Sequence, residues 1–188
     1  MRFLIVLTIV LPVSWHSAYA QQKTLLIAYY SKEGHTKKMA QAVLRGGKKV
    51  DDVKVHLKYI SEVSTTELLA ADAIIVGSPV YNANVAPEVQ AFINSWPFEG
   101  QPLKDKIGAA FVTAGSASAG EELVQLSILH SMLVFGMVIA GGSEWEQAFG
   151  ASSFNEESPF DNPEVQKKYL KRGEQLGERI AKLVLKMQ

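Results

Sequence analysis

The feature that most constrains the fold is a regular alternation of short apolar runs with helical patterns after residue 23. Runs that are apolar on both sides are typical of strands buried on both faces of a sheet. The predicted strands are Thr24–Tyr30, Val53–Tyr59, Asp72–Ser78, Ile107–Thr113 and Leu133–Ala140. Val53–Tyr59 alternates apolar and polar residues, which places that strand at an edge of the sheet.

Helical spacing fills the intervals between these strands. Within His35–Val50, for example, Met39, Val43 and Gly46 recur every three to four residues. Further helices are predicted over Thr65–Ala70, from Pro87 onward, from a Ser118–Glu121 capping box to Met132, and from Asn162-Pro163 onward. Strict alternation of strand and helix predicts a doubly wound α/β domain with five parallel strands and helices on both faces. The long irregular stretch Gly141–Asp161 is expected to be a functional or interface loop.

Charge and cysteine content exclude several classes of function. The 188 residues contain 19 basic and 19 acidic side chains, whereas a dedicated nucleic-acid binder is usually clearly basic. The chain has no cysteine, which excludes disulfides, thiolate metal sites, iron–sulfur clusters and a cysteine nucleophile. No cluster of residues indicates a metal site. Nucleic acid and metal ions are therefore not expected as partners.

The first twenty residues differ from the rest and match a secretory signal peptide. Arg2 supplies a positive charge, an apolar run extends from Phe3 to Val13, and Ala18-Tyr19-Ala20 forms an A-x-A cleavage pattern. The apolar run is shorter than a bilayer span requires, so no stable membrane span is expected. We expect residues 1–20 to be removed near Ala20 and the protein to be exported, periplasmic or secreted. The mature chain then has 18 basic and 19 acidic residues, a net charge of −1.

Three loops that follow predicted strands carry the candidate chemistry. Ser31–Thr36 offers hydroxyls and backbone N–H groups at a helix N-terminus, which suits a phosphate, yet it is neither GxxxxGK[ST] nor GxGxxG. Ser78–Asn84 offers a tyrosine face and two amides, which suit a flat heterocycle. Thr113–Gly120 contains small residues that let a ligand approach the backbone. Each loop alone is equally consistent with an ordinary turn or helix cap. Their coincidence at the carboxyl edge of one parallel sheet favours a ligand site.

The loop after the first strand also resembles a known family. Tyr29-Tyr30-Ser31, followed by Gly34-His35-Thr36 and an amphipathic helix, resembles the phosphate loop of the flavodoxin superfamily, and within it the WrbA-type NAD(P)H:quinone oxidoreductases. The stretches Asp72–Pro79, Lys106–Phe111 and Gly136–Ile139 resemble later strands of the same family. The resemblance implies a flavodoxin-like FMN-binding domain over residues 21–188. The implied sheet order is 2-1-3-4-5.

FMN, bound noncovalently, is the cofactor that this resemblance implies, with NAD(P)H as electron donor. The implied phosphate-binding residues are Ser31, Lys32, Gly34, His35 and Thr36. Those implied beside the flavin ring are Ser78, Pro79, Val80, Tyr81, Asn82, Ala83, Thr113, Ala114, Gly115, Ser116 and Ser118. Trp96, Glu33 and Phe135 are implied on the substrate side. No catalytic side chain is required, because the cofactor carries the chemistry.

The expected function is electron transfer from NAD(P)H to a quinone-like acceptor. Two alternatives stay open: a flavodoxin-like electron carrier without its own activity, and a binding module that has lost the flavin. Such carriers are usually strongly acidic, which the mature net charge does not match. The expected partner is a small quinone or a redox protein, and a homodimer and a homotetramer are both open.

Overall fold

The computed structural model describes residues 22–155 and 164–187. The strands are β1 (Lys23–Tyr29), β2 (Val53–Tyr59), β3 (Ala73–Tyr81), β4 (Asn84–Val85), β5 (Ile107–Ala114), β6 (Val138–Ile139) and β7 (Ala151–Phe154). The α-helices are α1 (His35–Gly47), α2 (Thr65–Ala70), α3 (Pro87–Asn94), α4 (Glu121–Val134) and α5 (Lys167–Lys186). Expected cleavage near Ala20 and the expected helix start at Asn162-Pro163 both fall outside the described residues.

The sheet is parallel in the order β2-β1-β3-β5, and its last position is shared by two short strands. β6 pairs with the start of β5 at Ile107 and Gly108, whereas β7 pairs with its end from Phe111 to Ala114. β4 adds a short antiparallel hairpin to β3. The flavodoxin-like fold is thus confirmed. The predicted number of strands, five, is too low. Two short strands, β6 and β7, share the fifth position of the sheet, and the β3–β4 hairpin was not predicted.

Helices cover both faces of the sheet, as predicted. One apolar core lies between the sheet and α1 with α5, and it includes Met39, Val43 and Leu176. The second core lies against α2, α3 and α4. No helix among residues 22–155 and 164–187 is long and apolar enough to cross a membrane.

The predicted strand Leu133–Ala140 is wrong over most of its length. Leu133 and Val134 close α4, and Gly136 turns the chain in a left-handed conformation with φ 76°. Only Val138 and Ile139 are strand. A short apolar run fits a buried helix end as well as a strand, so its pattern alone does not separate them.

Three other predicted segments also differ from the structure. α1 ends at Gly47, three residues before Val50. α5 begins at Lys167, directly after Gln166, whose backbone angles are extended (φ −59°, ψ 143°). The expected irregular stretch Gly141–Asp161 contains a 3-10 turn at Trp145–Gln147 and strand β7.

Candidate functional site

A cavity of about 390 Å³ opens at the carboxyl edge of β1, β3, β5 and β7. This is the edge at which open parallel sheets bind ligands. Its wall consists of Ser31, Glu33, His35, Thr36, Pro79, Val80, Tyr81, Thr113, Ala114, Gly115, Ser153 and Asn155. The three loops expected from the sequence therefore do converge on one cavity.

The loop after β1 presents the N-terminus of α1 to this cavity. Gly34 precedes the helix with φ 100°, a left-handed conformation that glycine adopts without strain, and its N–H donates to Ser31 Oγ at 3.1 Å. No side chain caps α1 and its first turn contains no acidic residue. The first N–H groups of a helix have no carbonyl partner within it, and the helix dipole adds positive potential there. This end of α1 is therefore suited to an anion.

The end of β3, which extends to Tyr81 and not to Ser78 as predicted, places Tyr81 on the cavity wall, and the chain turns back at the next two residues. Asn82 and Ala83 both have positive φ, 50° and 60°, as a tight hairpin turn requires. Ser78, in contrast, is fully buried. Its hydroxyl donates to the Pro79 carbonyl at 2.7 Å and accepts from the Ala86 N–H at 3.1 Å. Ser78 therefore fixes the course of the loop and is not part of the cavity wall.

The end of β5 and the loop after it contact both of the other cavity segments. The Thr113 and Thr36 hydroxyl oxygens lie 2.8 Å apart in a buried hydrogen bond. Near the far end of the loop, a Cβ on Gly120 would lie only 2.5 Å from the Ala83 Cβ, so α4 begins in direct contact with the hairpin. The expected capping box is half formed: the Ser118 N–H donates to Glu121 Oε1 at 3.3 Å, but Gly120 precedes the helix.

Two wall residues were missed from the sequence. Ser153 pairs with Thr113 in the register of β5 and β7, and the Asn155 N–H donates to the Ala114 carbonyl at 2.9 Å. Both lie in the stretch that was predicted to be irregular. Its Ala-Ser-Ser-Phe sequence does not alternate between apolar and polar residues, so it carries no period-2 strand signal.

The structure does not bring Trp96 and Phe135 to the cavity. Their rings pack against each other with centroids 5.4 Å apart. α3 and α4 run back from the carboxyl edge, so the residues after them lie at the amino edge, where Gly136 accepts from the N–H of Asp105. Their placement gives no support to a substrate role, whereas Glu33 does line the cavity. Also outside the wall are Lys32, Gly34, Ser78, Asn82, Ala83, Ser116 and Ser118.

Tyrosine hydroxyls near the cavity stay protonated. Burial raises the pKa of Tyr81, and the carboxylates of Glu33 and Glu88 raise it further. Contact with the Glu88 carboxylate raises the pKa of Tyr30 well above its usual value. Tyr81 can therefore donate a hydrogen bond to a ligand across the working pH range. Among the described residues, no group of three or more His, Asp or Glu side chains is placed to hold a metal ion.

Comparisons with known proteins agree with this geometry. The sequence profile of a family described as NADPH-dependent FMN reductase matches residues 23–151. A flavodoxin from Clostridium saccharobutylicum is 33% identical over 159 residues, covering 84% of this chain and 95% of that protein. An NAD(P)H dehydrogenase (quinone) from Azorhizobium caulinodans is 33% identical over 141 residues, covering 62% of this chain and 69% of that protein. The crystal structure of a WrbA-like flavodoxin protein from Agrobacterium tumefaciens superposes with a TM-score of 0.70 at 20% identity, covering 88% and 99%.

Proposed function

Since the chain belongs to the NADPH-dependent FMN reductase family, we propose that it transfers electrons from NAD(P)H, through FMN held at the carboxyl edge of its sheet, to a quinone-like acceptor. The observation that carries this proposal is the uncapped N-terminus of α1, which opens into a cavity of about 390 Å³. The quinone-like acceptor is supported by the Azorhizobium relative, which is named as a quinone-linked dehydrogenase.

The residues present fit FMN. Its phosphate is a dianion, and the first turn of α1 offers backbone N–H groups and contains no acidic side chain of its own. The Ser31 hydroxyl and the N-terminal end of α1 would hold this phosphate. The segments Pro79–Tyr81 and Thr113–Gly115 both line the cavity and would contact the ring. Small side chains at Ala114 and Gly115 let a flat ring lie close to the backbone.

FMN, when bound, supplies the hydride and electron-transfer chemistry, so the chain needs no nucleophile or general base of its own. The side chains would bind and orient the cofactor. The hydrogen bond between Thr36 and Thr113 holds the start of α1 against the end of β5. Tyr81 remains a neutral hydrogen-bond donor on the wall. Glu33 adds a negative charge to the wall near its mouth, with side-chain exposure of 37%.

The test is a titration of the purified chain with FMN, followed by flavin fluorescence and thermal unfolding. We expect tight binding with a clear rise in melting temperature. Ser31→Ala should weaken FMN binding about tenfold, the scale of one hydrogen bond to a charged group. Ser127→Ala, on the exposed face of α4, is the matched control and should bind FMN as the parent does. The absence of binding at micromolar FMN would overturn the proposal.

A second candidate is an electron carrier, favoured by the Clostridium relative, which is named a flavodoxin and is matched over 95% of its length. The FMN-loaded protein distinguishes the two candidates. An oxidoreductase consumes NAD(P)H in the presence of a soluble quinone, whereas a carrier does so only when a separate reductase supplies the electrons.

We also propose that residues 1–20 are a signal peptide and that the protein acts outside the cytoplasm. This proposal depends only on the apolar run and the Ala18-Tyr19-Ala20 pattern. N-terminal sequencing of the protein recovered from its native compartment tests it, and a new N-terminus at Gln21 is the expected result. Recovery of the intact Met1 chain from the cytoplasm would contradict it.

A further inference from the structure

A second cavity of about 390 Å³ lies beside the candidate FMN cavity and shares no wall residue with it. We call it the tyrosine groove. Its wall includes Tyr30, Tyr59, Ile60, Val63, Glu88 and Phe92. Tyr30 follows β1, Tyr59 ends β2, and Glu88 and Phe92 lie on α3. The groove therefore runs between the edge strand and α3, in a part of the molecule to which the proposed reductase function assigns no role.

Aromatic rings form much of this groove. The centroids of Tyr30 and Tyr59 lie 5.7 Å apart, with the ring planes tilted by 56°. Phe92 contributes a third ring from α3 and is braced from behind by Trp96, with centroids 5.6 Å apart in an edge-on arrangement. All three wall rings are only partly buried, so ring surface is available to a ligand. Aromatic faces of this kind attract flat rings and cations.

The charge of the groove is negative and has no counter-charge on its wall. Glu88 is exposed and forms no ion pair within the described residues, and the wall contains no Lys, Arg or His. The nearest lysine along the chain, Lys58, is engaged elsewhere, since it pairs with Glu67 and donates to the Glu62 carbonyl. A cation entering the groove therefore displaces no existing salt bridge of Glu88.

We propose that the tyrosine groove binds an organic cation, a protonated or quaternary amine joined to a flat ring, with its charge at Glu88 and its ring against Tyr30, Tyr59 and Phe92. Cation–π attraction and the carboxylate act in the same direction on such a ligand. The volume is in the range of small-molecule sites. A neutral ring gains the aromatic contact without the attraction to Glu88, and an anion of the same shape gains that contact but is repelled by Glu88.

The test is calorimetric titration of the purified chain with benzyltrimethylammonium, compared with neutral benzyl alcohol and anionic benzylsulfonate. We expect the cation to bind with a dissociation constant of about 1 mM or tighter. The other two compounds should bind several-fold more weakly, because they lack both the cation–π attraction and the ion pair. Glu88→Gln should weaken the cation about two- to fivefold, the scale of an exposed ion pair. Glu122→Gln is a matched control, because both glutamates are exposed and lie in the first turn of a helix. It should leave the affinity unchanged.

Saturation with FMN separates this site from the flavin cavity. The cation should bind equally well to the FMN-saturated protein, and it should bind whether or not the reductase proposal holds. Three results would each overturn the inference: no binding up to about 10 mM cation, equal binding of the neutral or anionic analogue, or unchanged affinity in Glu88→Gln. Loss of binding in the presence of FMN would place the cation in the flavin cavity and would also overturn it.

Discussion

The hydroxyl oxygens of Thr36 and Thr113 lie 2.8 Å apart, although 77 residues separate them in the chain. Thr36 belongs to the first turn of α1, and Thr113 lies near the end of β5. Thr36 is only 2% exposed and Thr113 only 6%, so the hydrogen bond is largely shielded from solvent. Because both residues also line the cavity, this one bond sets the separation between the phosphate loop and the wall opposite it.

Removing one of these hydroxyls should destabilise the protein. Thr36→Val keeps the shape of the side chain but leaves the buried Thr113 hydroxyl without its partner. We expect the free energy of unfolding to fall by about 1–3 kcal/mol, measured by urea denaturation. Thr36→Ser restores a hydroxyl and should recover part of the loss. The double variant Thr36→Val/Thr113→Val should be less destabilised than the sum of the single variants, since no hydroxyl is left unpaired. Strict additivity would contradict the pairing.

Glu33 should oppose the binding of a phosphate-bearing ligand. Its carboxylate lines the cavity, and Lys32, whose Nζ lies 4.0 Å from Glu33 Oε1, is 70% exposed and neutralises it weakly. If FMN is the ligand, as proposed, Glu33→Gln should tighten its binding about two- to fivefold at low ionic strength. The difference should vanish near ~1 M salt, where charges are screened within about 3 Å. Fluorescence titration measures both. Glu99→Gln, at an exposed position away from the cavity, is the control. If it tightened FMN binding as much as Glu33→Gln does, the effect would not come from the position of Glu33 at the cavity.

The sequence was sufficient to predict where the cavity lies, because the fold itself brings the ends of the strands together. Apolar runs at Asp72–Ser78 and Ile107–Thr113 identified the central strands, and parallel strands necessarily end at one edge. Residues in the first turns after those strands therefore had to meet. Pro79 and Thr113 are direct neighbours in the sheet, as that argument requires.

What the sequence did not show depends on tertiary pairing. Ala151–Phe154 is strand only because β5 extends beyond β6 and leaves its end open to a partner. No local pattern predicts that vacancy, so Ser153 and Asn155 were missed. The Ser78 hydroxyl was predicted to contact the cofactor. In the structure it instead donates to the Pro79 carbonyl and accepts from the Ala86 N–H. Whether a polar side chain faces a ligand or satisfies the backbone is decided by loop conformation, which residue type alone does not reveal.

The ion pair between Lys58 and Glu67 should make stability depend on pH in the acid range. The hydrogen bond from Lys58, together with bonds from Ser64, lowers the pKa of Glu67 from 4.5 to about 2. A lowered carboxyl pKa means that the unfolded chain binds the proton more readily. The stabilisation is therefore complete above about pH 5 and is lost as the pH falls towards 2.

The variant Glu67→Gln isolates this charge, because glutamine at the third helical position still accepts from the Ser64 N–H. The melting temperature of the parent should exceed that of the variant at pH 6, and the difference should shrink steadily below pH 4.5. High salt should reduce the difference at every pH, since the pair is partly exposed. A difference that does not change with pH would show that the charge is not its source.

Close packing of α1 against α5 should make Gly177 intolerant of any side chain. A Cβ on Gly177 would collide with the backbone carbonyl of Val43, and backbone cannot move aside as a flexible side chain can. At Gly173, one turn earlier, a Cβ would lie 3.1 Å from the Ala42 Cβ and 3.4 Å from the Met39 Cε, contacts that small shifts relieve. We therefore expect Gly177→Ala to lower the free energy of unfolding by about 1–3 kcal/mol, despite the higher helix propensity of alanine.

Gly173→Ala is the matched control on the same buried face of α5, and it should stay within about 1 kcal/mol of the parent. Urea denaturation of both variants gives the comparison. Because α1 also carries the phosphate loop, displacement of this helix by Gly177→Ala should weaken binding at the cavity, whereas Gly173→Ala should not. Equal stability of the two variants would mean that the helices can separate without cost, and the collision with Val43 would then not determine their spacing.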